Sequence, residues 1–205
     1  MKKLTLAGMA ALGTVMVAAL WWRKNPSACP YGQRFWVEAP HPFITRTRLF
    51  EALAPLEGEN LLEVGPGTGY YSLDAAGWVG PEGSLDIFDI QQEMLDHTMV
   101  RAAERGIANI RATQGDATSL PYAPTTFHGA FLVTVLGEIP DRSAAMAELA
   151  RVIRPGGRLV VGELLGDPHW VSPKTIAALA EEAGFSVERR LGPTIGSFTV
   201  LRKNS

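Results

Sequence analysis

The stretch Leu61-Leu62-Glu63-Val64-Gly65-Pro66-Gly67-Thr68-Gly69-Tyr70 limits what this chain can become more than any other. A short apolar run of strand length breaks into alternating glycines and then opens a helix-like segment, the signature of an α/β unit. Glycine at Gly65, Gly67 and Gly69 admits positive φ and leaves no Cβ between main chain and ligand, so such a loop can touch a nucleotide-like molecule directly. The spacing is G-x-G-x-G, whereas a dinucleotide loop is G-x-G-x-x-G. Glu63, just before the loop, opposes a pyrophosphate and suits a ligand that carries an ammonium and a sulfonium.

Glu63-Val64-Gly65-Pro66-Gly67-Thr68-Gly69 resembles the first motif of class I S-adenosylmethionine-dependent methyltransferases. Later segments continue the pattern in order. Ser84-Leu85-Asp86-Ile87-Phe88-Asp89-Ile90 reads as a second strand ending in an acid about twenty residues after the glycine loop, and Gln91-Gln92-Glu93-Met94-Leu95 reads as the helix start after it. Ile110 to Ala117 resembles the third strand and its terminal acid, and Leu120-Pro121-Tyr122 and Phe127 follow as in the family. Gly129 to Leu136 reads as a fourth strand, and Leu149 to Val161 as a helix, a Pro155-Gly156-Gly157 turn and a fifth strand. A helix over about 173–183 and strands at 186–190 and 197–202 complete the series.

This resemblance, over roughly residues 45 to 202, implies a Rossmann-like α/β fold. Its sheet is seven-stranded and mostly parallel, with helices on both faces and an antiparallel last strand. The implied cofactor is S-adenosyl-L-methionine, held by Glu63, Gly65, Pro66, Gly67, Gly69, Asp89, Ile90, Asp116, Ala117 and Val133. Asp89 would accept the ribose hydroxyls and Ile90 would lie on the adenine face. Asp116 would take the adenine amino group, with the next backbone N–H, at Ala117, on a ring nitrogen. Asp89 and Asp116 also suit helix caps, and Asp86 competes for the ribose role, but strand alternation points it elsewhere.

The 205 residues are 46% hydrophobic and 20% charged, sufficient for one domain with a core. A net charge of -2, with no basic run interleaved with aromatics, speaks against a nucleic-acid partner. The single cysteine, Cys29, rules out an internal disulfide and has no partners for a zinc site, and no metal is expected.

The amino terminus departs from a soluble enzyme. Leu4 to Trp22 carries no charge and lies between Lys2-Lys3 and Arg23-Lys24. At a helical rise of about 1.5 Å per residue it covers roughly 28 Å, close to a hydrocarbon core, and Trp21-Trp22 suit the interface. The reading is an N-terminal hydrophobic helix anchoring the chain over 1–24. A signal peptide, with Val17-Ala18-Ala19 near a cleavage site, is the rival. Pro26 to Cys29 only faintly resembles a lipobox, with Pro where Leu is needed. Residues 25–42 read as an ordered juxtamembrane loop, and 43–205 as the methyltransferase domain, opening with an amphipathic helix over 42–53. Because S-adenosylmethionine is a cytosolic metabolite, the expected location is a single-pass membrane protein with a cytoplasmic domain. Tyr31, Phe35 and Trp36, beside the anchor, are expected to close the mouth of the ligand crevice.

Methyl transfer from a sulfonium needs alignment and exclusion of water more than a triad. Candidate proton acceptors are therefore loop residues expected around the mouth: Glu138, His169, His41 and Tyr31. His128, where relatives carry Asp, reads as a packing change. The expected function is methyl transfer to a small lipophilic acceptor, a quinone or other phenol, a lipid or a thiol. The alternatives are a tethered S-adenosylmethionine-binding partner without turnover and, third, a dehydrogenase.

Overall fold

In a computed structural model, the structure describes residues 25–38 and 41–205. The hydrophobic segment expected over 1–24 lies outside these residues, as do the side chains of Trp36 and Val37. Among the described residues, no helix is long and apolar enough to cross a membrane.

A 3-10 turn, Tyr31–Gln33, and a short helix α1, Phe35–Glu38, precede α2, Arg46–Leu53. There follow β1 (Asn60–Val64), α3 (Ser72–Trp78), β2 (Ser84–Asp89), α4 (Gln92–Glu104), β3 (Ile110–Gln114) and β4 (Phe127–Val133). The chain ends with α5 (Arg142–Val152), β5 (Ile153–Leu164), α6 (Pro173–Glu182), β6 (Phe185–Leu191) and β7 (Gly196–Lys203). The helices begin where side chains can satisfy their free N–H groups. Asp141 accepts from the Ala144 N–H, and Ser172 accepts from the Thr175 N–H just ahead of Pro173 at the first helical position. Thr45 accepts from the Arg48 N–H, which sets the start of α2 at Arg46, inside the 42–53 span expected from periodicity.

The sheet order is β3-β2-β1-β4-β5-β7-β6. β1 pairs in parallel with both β2 and β4, so the chain runs outward from β1 to β3 and then returns to β4 on the other side. β7 is antiparallel to β5 and β6. Such a reversal opens a crevice beyond the carboxyl ends of β1 and β4.

The central strands are buried on both faces, as their near-continuous apolar runs require. Leu62, Val64, Ala130 and Leu132 pack with Met146 and Leu149 of α5 and Ile176 of α6. Leu61, Leu85, Ile87 and Phe131 pack on the opposite face with Leu49 and Leu53 of α2, Leu73 of α3 and Leu95 of α4. The turn expected at Pro155-Gly156-Gly157 is absorbed into β5. Phe127 pairs with Ile153 but Gly129 pairs with Arg158, so the extra residues bulge from the strand instead of ending it. His128 accepts the Asn60 N–H through Nδ1, a packing role at the start of β4.

One buried ion pair ties the sheet to the loop before β1. Arg158 reaches Glu59 through both terminal nitrogens and donates its Nε–H to the Leu53 carbonyl; the side chains are 8% and 5% exposed. Removal of one member leaves the other charge buried and unpaired, which costs about 3–5 kcal/mol. Arg158→Met is expected to lower unfolding free energy by about that amount in urea titrations, and restoring the charge with Arg158→Lys recovers only part of it, because one ammonium cannot replace the bidentate fork.

Candidate functional site

A cavity of about 400 Å³ occupies the crevice at the strand ends. Its floor is the glycine loop after β1, one wall is the end of β2 with the start of α4, and the opposite wall is the segment after β4.

The loop owes its shape to a very close approach. Gly65 has φ +70°, and a Cβ there would meet the Val135 side chain at 2.3 Å. Any other residue at Gly65 would separate the two walls. From behind, α4 holds the loop: Thr98 Oγ1 donates to the Gly67 carbonyl at 3.0 Å, and Arg101 donates to the Thr68 carbonyl. Across the reversal point, Thr134 adopts φ +57°, an uncommon conformation for a residue with a side chain. Its N–H donates to the Gly162 carbonyl at 2.8 Å and its hydroxyl to the Val133 carbonyl at 2.7 Å, which fix it at the cavity wall. Strain held by surrounding bonds in this way gathers at ligand sites.

Among the sequence-predicted cofactor residues, Gly65, Gly67, Asp89, Ile90, Asp116, Ala117 and Val133 line the cavity. Asp89 accepts the Gln91 N–H at 2.9 Å and backbone N–H groups of Gly67 and Ile90. Burial raises its pKa, and those N–H bonds oppose the shift. Ile90 presents an apolar side chain, 56% exposed, beside it. Asp116 accepts the N–H and hydroxyl of Thr118, each at 2.8 Å, which hold its carboxyl below the usual range.

Three predicted residues do not reach the cavity. Pro66 and Gly69 are buried within the turn, closed by the Gly69 N–H to the Pro66 carbonyl at 3.0 Å. Glu63 points behind the loop and accepts the Ser72 hydroxyl. Burial pushes its carboxyl up to about 8, with Asp89 adding to the shift. Desolvation thus favours its neutral form, and its bond to Ser72 joins the end of β1 to the start of α3.

The candidate proton acceptors also separate. Glu138 lines the cavity. Burial pushes its carboxyl up to about 8, with Asp167 contributing, while a hydrogen bond from the Cys29 N–H opposes the rise. His169 is only 5% exposed and lies behind Gly137, where no Cβ would fit against its carbonyl. His41 stacks edge-on against Tyr70 with centroids 5.2 Å apart. Tyr31 bonds His97 Nδ1 at 3.1 Å in a shallow groove along α4. None of these three lines the cavity.

Sequence reasoning missed Pro26 to Cys29, Gln91, Met94, Thr134, Val135, Ile139 and Pro140, all of which line the cavity. Gln91 and the residues after Val133 continue motifs already visible. Pro26 to Cys29 arrive by a contact across some sixty positions of sequence, which no local signal announces. Of the aromatic residues expected to close the mouth, Tyr31 and Phe35 do not line the cavity and the Trp36 side chain lies outside the described residues, while Pro26 to Cys29 line it. Among the described residues, no group of three or more His, Cys, Asp or Glu side chains is placed to hold a metal.

The reversed sheet, the glycine loop without room for a Cβ and the two acid-ended strands give the Rossmann-like fold seen in S-adenosylmethionine-dependent methyltransferases of known structure. Residues 61–157 match the family described as "Methyltransferase domain". The chain is 38% identical over 120 residues to a ubiquinone/menaquinone biosynthesis C-methyltransferase of Cellvibrio japonicus, covering 58% of this chain and 48% of that protein. It is 34% identical over 158 residues to nocamycin O-methyltransferase of Saccharothrix syringae, covering 73% and 56%. The chain thus spans about half the length of the curated relatives it matches. The fold is also that of an S-adenosylmethionine-dependent methyltransferase from Aquifex aeolicus, with TM-score 0.78 and 19% identity over 85% of this chain and 98% of that one.

The carboxyl of Glu138 generates a testable pH dependence. Its ordinary value is about 4.3 and its folded value lies near 8. Below the ordinary value it is protonated in both folded and unfolded chains. As pH rises, the unfolded state loses the proton first, so folded stability falls until the folded carboxyl also ionises. Glu138→Gln is expected to raise Tm by an amount that is absent near pH 4 and grows to a plateau above about pH 8 in thermal scans.

Proposed function

We propose that this protein moves the methyl group of S-adenosylmethionine to a small lipophilic acceptor. The observation that carries the reading is the cavity itself: cofactor-type polar groups at one end, and Val133, Val135, Ile139 and Pro140 near the carboxyl of Glu138 at the other. S-adenosylmethionine supplies an electrophilic methyl carbon on a sulfonium, to be displaced in line. Asp89 and Ile90 suit a ribose and a flat ring, and the half-exposed Gly65 and Gly67 leave space beside the backbone. Glu138 takes the proton lost when the acceptor oxygen, carbon or sulfur forms its bond to the methyl group. Its apolar surroundings exclude water and favour a phenol-like acceptor over a charged one. The names of the quinone and nocamycin relatives agree with such acceptors.

Calorimetric titration with S-adenosylmethionine and with NAD tests the cofactor, and binding of NAD alone would overturn the proposal. Labelled S-adenosylmethionine incubated with lipid and quinone extracts tests the acceptor. Turnover is expected to rise with pH through about 8, and Glu138→Gln is expected to lower kcat by about 100-fold or more while keeping cofactor affinity. Binding without a labelled product would favour a tethered, non-catalytic partner.

We further propose that residues 1–24 anchor the chain as a single-pass helix with the domain in the cytoplasm, on the strength of the uncharged run from Leu4 to Trp22. In fractionation of cells, the full chain should remain in the membrane pellet after alkaline carbonate washing, and cytoplasmic proteolysis of inverted vesicles should release the domain. Recovery of the chain in the wash would sink the anchor.

A further inference from the structure

Residue Gln91 stands at the N-cap of α4, a position that favours Ser, Thr, Asp or Asn, yet its side chain makes no capping hydrogen bond. Its amide instead reaches residues some sixty positions earlier in the chain. Gln91 Oε1 accepts the Tyr31 N–H at 3.1 Å, and Nε2 donates to the Cys29 carbonyl at 2.9 Å. Both ends of the amide are thereby used, as only Asn or Gln allows. The backbone of the same residue faces the cofactor end of the cavity, since its N–H donates to Asp89 Oδ1. On the acceptor side, Glu138 accepts the Cys29 N–H. Residues 26–29, which lead into these attachments, line the cavity.

Resting on the reading of this cavity as the cofactor site, we propose that Gln91 is a positioning residue, a latch that trades its helix cap for the task of holding residues 26–31 as a strap across the cavity. The strap contributes Pro26 and Ala28 to the cavity wall, so latching shapes the cavity as well as closing it. Because one residue bonds both Asp89 and the strap, a ligand that orders Asp89 and Gln91 also favours the latched strap. By linkage, the latched strap then holds that ligand more tightly.

The strap carries the chain's only cysteine, Cys29, which provides a direct reporter. Iodoacetamide labelling of the full chain, followed by mass spectrometry, is expected to be slow in the native protein and slower still with saturating S-adenosylhomocysteine. Gln91→Ser supplies a good cap but cannot span to the strap. It should retain or raise Tm, while labelling of Cys29 and release of S-adenosylhomocysteine each accelerate about tenfold, the effect of losing two hydrogen bonds. With Tyr31→Phe as the control that loses only the hydroxyl's bond to His97, Tyr31→Pro removes the strap-side N–H at the first position of a 3-10 turn, where proline is tolerated, and leaves the cavity lining intact. It should accelerate labelling in the same direction. Equal labelling of Gln91→Ser and the native chain overturns the latch, and so does acceleration in Gln91→Ser with none in Tyr31→Pro, because Gln91 would then act by touching the ligand. If the native chain fails to bind S-adenosylhomocysteine in calorimetry, the cofactor reading itself falls, an outcome distinct from the other two.

Discussion

The approach of the turn after β1 to the segment after β4, close enough that Gly65 has no room for a Cβ against Val135, is the constraint on which the site depends. It follows from the topology, because β1 and β4 are neighbours in parallel and both deliver their carboxyl ends to the same edge. Two loops in unstrained conformations would not share that edge. Gly65 resolves the crowding with positive φ, and Thr134 resolves it on the other side with a left-handed backbone held by its own hydroxyl and by Gly162. The cavity is the space left between them.

Electrostatics divides that space. At the end that suits the cofactor, Asp89 keeps partners for its charge in backbone N–H groups, and Asp116 keeps Thr118. At the other end, Glu138 is desolvated and has nearby carboxylates instead of cations, which raise its pKa to about 8. Acids of the same charge type thus do different work because their surroundings differ. Glu63 completes the contrast: although adjacent to the loop in sequence, it is buried under it and acts through Ser72.

Nearly all of the domain's architecture was legible from local pattern. The order of strands, the acids at the ends of β2 and β3 and the boundaries of the last helix and two strands appear in the sequence because period, caps and turn residues all agree. Where they disagreed, the structure decided. Pro155-Gly156-Gly157 has the chemistry of a turn, yet parallel pairing with β4 continues past it and makes it a bulge. His169, His41 and Tyr31 have side chains suited to catalysis, yet none of the three lines the cavity.

The sequence by itself determined an α/β sheet with a glycine loop, two acid-ended strands and an uncharged amino-terminal run, because those features depend on residues a few positions apart. Only the tertiary structure decided that Pro26 to Cys29 form a wall of the cavity, that Gln91 ties them there, and that Glu138 alone among the proposed acids and bases faces it. Those are contacts between segments far apart in the chain. Their geometry is set by how the sheet, the helices and the loops pack together, which no local spacing encodes.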